Sequence, residues 1–209
     1  MSRDDVRVRA LTHQSAALLL HYPDDELAAR LPLLAEVTAA LPGVPGALLR
    51  GFVAHAQATP LSRLAADYVA TFDLQRRCAL HLTYYVYGDT RKRGMALLRC
   101  RQAFRVDGFD LADGELPDHL PAVLELSAAG SREAARLLKE YRVGVELLHL
   151  ALTEMGSPWR DVVDAVRATL PEPAPRDLAR AMELARTGPP EEDVGLEPFL
   201  LPDPAEGRR

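Results

Sequence analysis

Between Ser131 and Gly156 the apolar residues Leu138, Tyr141, Val145, Leu148, Leu152 and Met155 fall at spacings of 3, 4, 3, 4 and 3. That is the repeat of one face of an α-helix, and no strand shows it. Ser131 is a capping residue, Glu133 places a carboxylate in the first turn, and Gly156 supplies a stop. The spacing predicts one long helix over 131–156. A helix with a single apolar stripe must bury it against neighbouring elements.

Those neighbours are signalled along the chain. A helix over 10–20 ends at His21-Tyr22-Pro23, because the residue before proline avoids the helical region. Asp24 or Asp25 caps a helix that reaches Leu41 and breaks at Pro42-Gly43. Pro45-Gly46 opens a third, to Ala58. Thr59-Pro60 reads as an N-cap followed by proline at the first helical position, opening a helix toward Phe72. Ser157-Pro158 repeats that logic for a helix stopping at Pro171, with Trp159 and Val163 available for packing, and a short helix follows near 176–186. Strand alternation is almost absent, so the expected class is all-α: a single helical-bundle domain over 1–186. From Thr187 onward the sequence holds five prolines and six carboxylates. Residues 187–209 therefore read as a flexible acidic tail, with Phe199-Leu200-Leu201 inside it.

Composition sets the outer bounds. With 48% hydrophobic residues and a formal charge of −5 over 209 residues, wholesale disorder is excluded. Two cysteines, Cys78 and Cys100, stand outside any CxxC and read as reduced, buried thiols. The opening residues are charged, and the run Ala16-Ala17-Leu18-Leu19-Leu20 is far shorter than the ~18–20 residues of a membrane span. A soluble, cytoplasmic protein without direct membrane insertion is expected.

Residues 72–128 differ from the rest. Tyr84, Tyr85 and Tyr87 cluster, and between Arg76 and Arg105 eight basic residues face one acid, Asp89. A helix from Thr90 places Ala96, Leu97, Cys100, Ala103 and Phe104 on one face, with Arg91, Lys92, Arg99, Arg101 and Arg105 mostly away from it. Arg93 falls inside the apolar arc, where a guanidinium requires a partner. Further on, Glu115, Asp118 and Glu125 surround His119 in sequence, with Pro117 and Pro121 confined to a loop and a first helical turn. An Asp-His pair suits metal binding, acid–base chemistry or simple helix capping, yet no second histidine lies at ligand spacing and no HExxH is present. Nucleotide loops, a GxSxG elbow and nucleic-acid-reading motifs are also missing.

Taken together, Leu82-Thr83-Tyr84-Tyr85, Gly88-Asp89-Thr90-Arg91-Lys92-Arg93-Gly94, Glu115-Leu116-Pro117-Asp118-His119 and Tyr22-Pro23 resemble the NarJ-type nitrate reductase assembly chaperones, a branch of the redox-enzyme maturation chaperones. The resemblance is close over 72–128 and looser over roughly 10–170. It implies an all-helical fold, no catalysis and no cofactor of its own. It also implies, as partner, the N-terminal segment of the apo alpha subunit of nitrate reductase, held ready for molybdenum cofactor insertion before membrane docking. The cofactor's biosynthesis machinery is a further implied partner; nucleic acid is not one. On this view Tyr84, Tyr85, Tyr87, Asp89, Arg91, Arg93, Glu115, Pro117, Asp118, His119 and Glu125 form the client-peptide site. Residues 84–94 and 115–125 are expected to meet in one groove with Asp118 and His119 at its polar end, so that alanine there weakens binding without harming the fold. Two other readings compete: a metal-dependent hydrolase built on Asp118 and His119, and a nucleic-acid-binding regulator using the basic helix 91–105.

Overall fold

The computed structural model describes residues 3–112, 114–188 and 190. Its elements are α1 (Arg3–Leu19), α2 (Asp25–Ala40), α3 (Gly43–Ala58), α4 (Leu61–Tyr68), α5 (Tyr84–Tyr87), α6 (Arg91–Val106), α7 (Leu120–Ala128), α8 (Arg132–Glu140), α9 (Arg142–Glu154), α10 (Trp159–Arg167) and α11 (Pro175–Thr187). No strand is present among the described residues; a single antiparallel bridge joins His81 to His119. The fold is all-α, as the helical signals and the near absence of strand alternation led one to expect. The tail expected from Thr187 onward lies outside the described residues except for Gly188 and Pro190, and Thr187 itself still closes α11.

The caps explain the borders. Asp24 accepts the Leu27 N–H at 2.9 Å and starts α2. Ser131 accepts the Ala134 N–H at 2.9 Å and starts α8. Thr59 does not cap α4. Its hydroxyl turns back to the His55 carbonyl at 2.8 Å inside α3, and Pro60, extended at ψ 137°, takes the capping position. The helix toward Phe72 also changes gauge, since Val69–Asp73 form a π-helical turn that seats Phe72 in the core.

The helix expected over 131–156 is two helices. Tyr141, at φ −97° and ψ 26°, ends α8 and precedes α9. The cause is tertiary. Gly144 lies so close to the 82–85 segment that a Cβ there would stand 2.9 Å from the Leu82 carbonyl oxygen. To reach that contact α9 must leave the line of α8, which packs on α6 and α7. Both halves keep their apolar stripes inward: Leu138, Tyr141, Val145, Leu148 and Leu152 are all buried.

At the centre stands Trp159, fully buried, ringed by Phe52, Tyr68 and Phe72 at centroid distances of 5.4, 5.7 and 5.5 Å. Its indole N–H donates to the Leu19 carbonyl at 3.0 Å, and the Tyr68 hydroxyl donates to that of Leu20 at 2.9 Å. Two side chains thus satisfy carbonyls at the end of α1 that the helix leaves open, which fixes where His21 and Tyr22 emerge. Another buried polar group, His13, holds Ser127 through Nδ1 and Thr169 through Nε2, both at 2.8 Å. Burial, with the charge of Arg9 adding to it, depresses His13 to about 3, so it remains a neutral tie between α1, α7 and the end of α10. Cys78 and Cys100 are buried free thiols, and burial raises them to about 11 and about 12.

Candidate functional site

The loop before α5 and the loop before α7 run antiparallel for a few residues. The Leu120 N–H donates to the Leu80 carbonyl at 2.7 Å and the Leu82 N–H to that of Asp118 at 3.0 Å. This bridge delivers Asp118 into the interior, where it is 0% exposed. One carboxylate oxygen faces His81 Nδ1 at 3.2 Å; the other accepts the Thr83 N–H at 3.2 Å and the Thr83 hydroxyl at 2.5 Å. Arg93 completes the surround. Its guanidinium sits 3.7 Å from Asp118, donates to Asp89 at 2.8 Å and lies over the Tyr84 ring at 5.6 Å. Burial alone would raise the Asp118 carboxyl, but hydrogen bonds from His81 and Thr83 and the charges of His81 and Arg93 outweigh it and hold it below the usual range. Asp118 is therefore a charged internal joint, and the partner that Arg93 requires is found.

Two expectations change here. Asp118 does not cap α7, whose N-cap is His119 without a side-chain bond. Nor does it stand at the polar end of a groove, because all its approaches are filled.

The sequence places three carboxylates around one imidazole; the structure gives each carboxylate its own. Glu115 Oε1 stands 3.3 Å from His119 Nδ1, Asp118 pairs with His81, and Glu125 Oε1 lies 3.7 Å from His21 Nε2. The rings gather as well, with His119 at 5.4 Å from His81 and 6.0 Å from His21, centroid to centroid. The hydrogen bond to Glu125 raises His21, whereas burial lowers His119 despite Glu115. Sequence reasoning missed His21 and His81 as members of the cluster. Their one signal is adjacency: His21 precedes Tyr22-Pro23 and His81 precedes Leu82-Thr83. Among the described residues, no three His, Cys, Asp or Glu side chains are placed to share a metal ion.

Outside this cluster the surface is hollowed. A 580 Å³ cavity between α1, α6 and α7 has Leu18, Phe104, Leu111, Ala122 and Leu126 in its wall, with Glu115, Glu125 and Arg30 at its edge. An adjoining 350 Å³ hollow shares Leu18, Arg30 and Glu125 and adds His21, Tyr22, Asp24 and Glu26. The two form one groove with an apolar floor and an acidic rim. Tyr84 and Tyr85 open elsewhere, onto a 250 Å³ cavity with Arg76, Arg77, Leu147 and Leu184 between α9 and α11. The segments 84–94 and 115–125 thus meet inside, at Arg93 and Asp118, but face two different hollows.

The remaining predicted residues divide accordingly. Tyr85 is a core residue whose hydroxyl bonds the Arg77 and Ala79 carbonyls, both at 2.9 Å. Tyr87 is half-buried against the core and Pro117 is buried. Asp89 and Arg91 are exposed at the start of α6.

This arrangement is a helical bundle of the redox-enzyme maturation type. It matches the crystal structure of a putative redox enzyme maturation protein from Archaeoglobus fulgidus with a TM-score of 0.58, over 76% of this chain and 91% of that one, at 17% identity. Residues 23–164 match the nitrate reductase delta subunit family, and the chain belongs to it, in the NarJ-type branch. The probable nitrate reductase molybdenum cofactor assembly chaperone NarJ of Bacillus subtilis is 33% identical over 167 residues, 78% of this chain and 89% of that protein. NarJ of Escherichia coli is 32% identical over 154 residues, 70% of this chain and 64% of its own length. The nitrate reductase-like protein NarX of Mycobacterium tuberculosis is 40% identical over 157 residues, which are 75% of this chain but only 24% of NarX. Among the described residues no helix is long and apolar enough to cross a membrane.

Proposed function

We propose that this chain is a nitrate reductase assembly chaperone of the cytoplasm. It binds the N-terminal segment of the apo alpha subunit and holds that subunit for molybdenum cofactor insertion before membrane docking, without being an enzyme or part of the finished one. The observation that carries this reading is the groove between α1, α2 and α7. An apolar floor flanked by Asp24, Glu26, Glu115 and Glu125 suits an amphipathic helical peptide with basic residues on its polar side. The names of the relatives support nitrate reductase as the client: the Escherichia coli protein is the nitrate reductase molybdenum cofactor assembly chaperone NarJ, and the Bacillus subtilis protein is the probable one.

In this reading the predicted residues play two parts. Glu115, His119 and Glu125 face the peptide, with His21 and Tyr22 joining them. Asp118, Arg93, Asp89, Pro117, Tyr85 and Tyr87 position the loops that carry them; Tyr84 and Arg91 lie on the adjoining face.

Co-purification from cells tests the proposal. The full chain should come down with the apo alpha subunit and lose it when the subunit's N-terminal segment is deleted. Retention of the truncated subunit at the same yield would overturn this assignment of the client segment.

A further inference from the structure

The outward face of α6 is unusual for a solvated helix. Met95, Leu98 and Val106 are 59%, 60% and 62% exposed and fall on one stripe. At about 100° per residue, Arg101 and Arg105 lie along one side of that stripe and Lys92 and Arg99 along the other. Arg99 reaches Glu140 at 3.7 Å; among the described residues Lys92, Arg101 and Arg105 make no ion pair. An apolar strip between two cationic rows is half of an interface. Its complement is a segment with apolar residues in the middle and carboxylates around them.

Such a segment belongs to the chain itself. Residues 191–206 carry Glu191, Glu192, Asp193, Glu197, Asp203 and Glu206 around Val194, Leu196, Phe199, Leu200 and Leu201. The structure also shows where this stretch departs. After α11 the Pro190 carbonyl lies against Gly88, 1.8 Å from where a Cβ would stand, and Gly88 holds φ +57° just ahead of α6. The tail thus leaves from the N-terminal end of the exposed strip. The 16 residues of α6 span about 24 Å, and the nine steps from Pro190 to Phe199 reach up to roughly 30 Å when extended.

We propose that residues 191–203 dock in cis along the outward face of α6. Val194, Leu196 and the Phe199-Leu200-Leu201 run cover Met95, Leu98 and Val106 in turn, and the tail carboxylates lie against the cationic rows. The strap neutralises a cationic amphipathic surface that otherwise attracts acidic or anionic partners, and a partner using that surface has to displace it.

The test places a nitroxide on Gln102→Cys in the full-length protein, the native thiols being buried, and reads the amide signals of residues 191–203 by NMR. Docking in cis predicts selective loss of those signals, recovered in the Arg101→Glu/Arg105→Glu variant. It also predicts recovery at ~1 M salt, where the screening length falls to about 3 Å. A control label on Leu33→Cys, exposed on α2, should leave them intact. Equal effects from both labels would overturn the proposal. So would broadening that appears only between labelled and isotope-enriched copies in a mixture, since the occupant is then a second copy. Undisturbed tail signals with α6 binding to anionic vesicles would assign the face to a membrane surface instead.

Discussion

Arg93 stands 3.7 Å from the enclosed carboxylate of Asp118 while donating to the exposed carboxylate of Asp89 at 2.8 Å. It therefore spans from the interior to the surface and fastens the start of α6 to the loop that leads into α7.

This relationship inverts the expected behaviour of Asp118 variants. Asp118→Ala removes the acceptor for Thr83 and His81 and the buried one of the two carboxylates that hold Arg93, whose side chain is only 16% exposed. Breaking a buried pair on one side costs about 3–5 kcal/mol. A melting curve should show a fall of roughly 6–20 °C, at ~2–4 °C per kcal/mol for a domain of this size. The pH dependence follows from the depressed carboxyl: its contribution is present above the unfolded value near ~4 and lost as pH falls through the lower folded value. Wild type should lose stability below about pH 4, and Asp118→Asn should show less of that loss.

His21 and His119 should titrate on opposite sides of the ordinary histidine value near ~6.5. The hydrogen bond to Glu125 raises His21, so its contribution is full below that value and is lost as pH rises through the folded pKa. The exposure of both partners, 44% and 48%, keeps it small. Burial lowers His119, so its contribution is present above that value and lost as pH falls through the folded pKa. Imidazole NMR titration checks both midpoints, and Glu125→Gln should lower that of His21.

Gly144→Ala should weaken the seat of α9. A Cβ at 2.9 Å from the Leu82 carbonyl oxygen meets backbone, which cannot swing aside. Overpacking of this kind costs about 1–3 kcal/mol, and chemical denaturation should show it as a lower midpoint at unchanged slope.

Local chemistry was legible in the sequence. Asp24 and Ser131 cap as their side chains dictate, Arg93 finds the partner its place in the apolar arc demands, and Cys100 and Phe104 turn inward. What the sequence hid depends on residues far apart in the chain. Tyr141 interrupts a faultless helical repeat because Gly144 must meet Leu82. His21 and His81 join His119 only because the end of α1 and the 79–83 loop converge on it. Pro60 takes the capping position expected of Thr59 because the Thr59 hydroxyl bonds back to the His55 carbonyl at the end of α3. Groove membership was the least legible part, since no pattern in one sequence announces that Glu115 and Tyr84 face different hollows.

The most direct measurement is a calorimetric titration of the full chain with a peptide covering the N-terminal ~20 residues of the nitrate reductase alpha subunit, a length that spans about 30 Å as a helix. Wild type, Glu115→Lys/Glu125→Lys and Arg76→Glu/Arg77→Glu should be compared at one ionic strength. The expected result is a one-to-one complex that weakens at least ~10-fold, about 1.4 kcal/mol, when the acidic rim is reversed and stays unchanged when Arg76 and Arg77 are. A peptide that binds all three alike, or that is lost only with Arg76 and Arg77, would contradict it and move recognition to the cavity between α9 and α11.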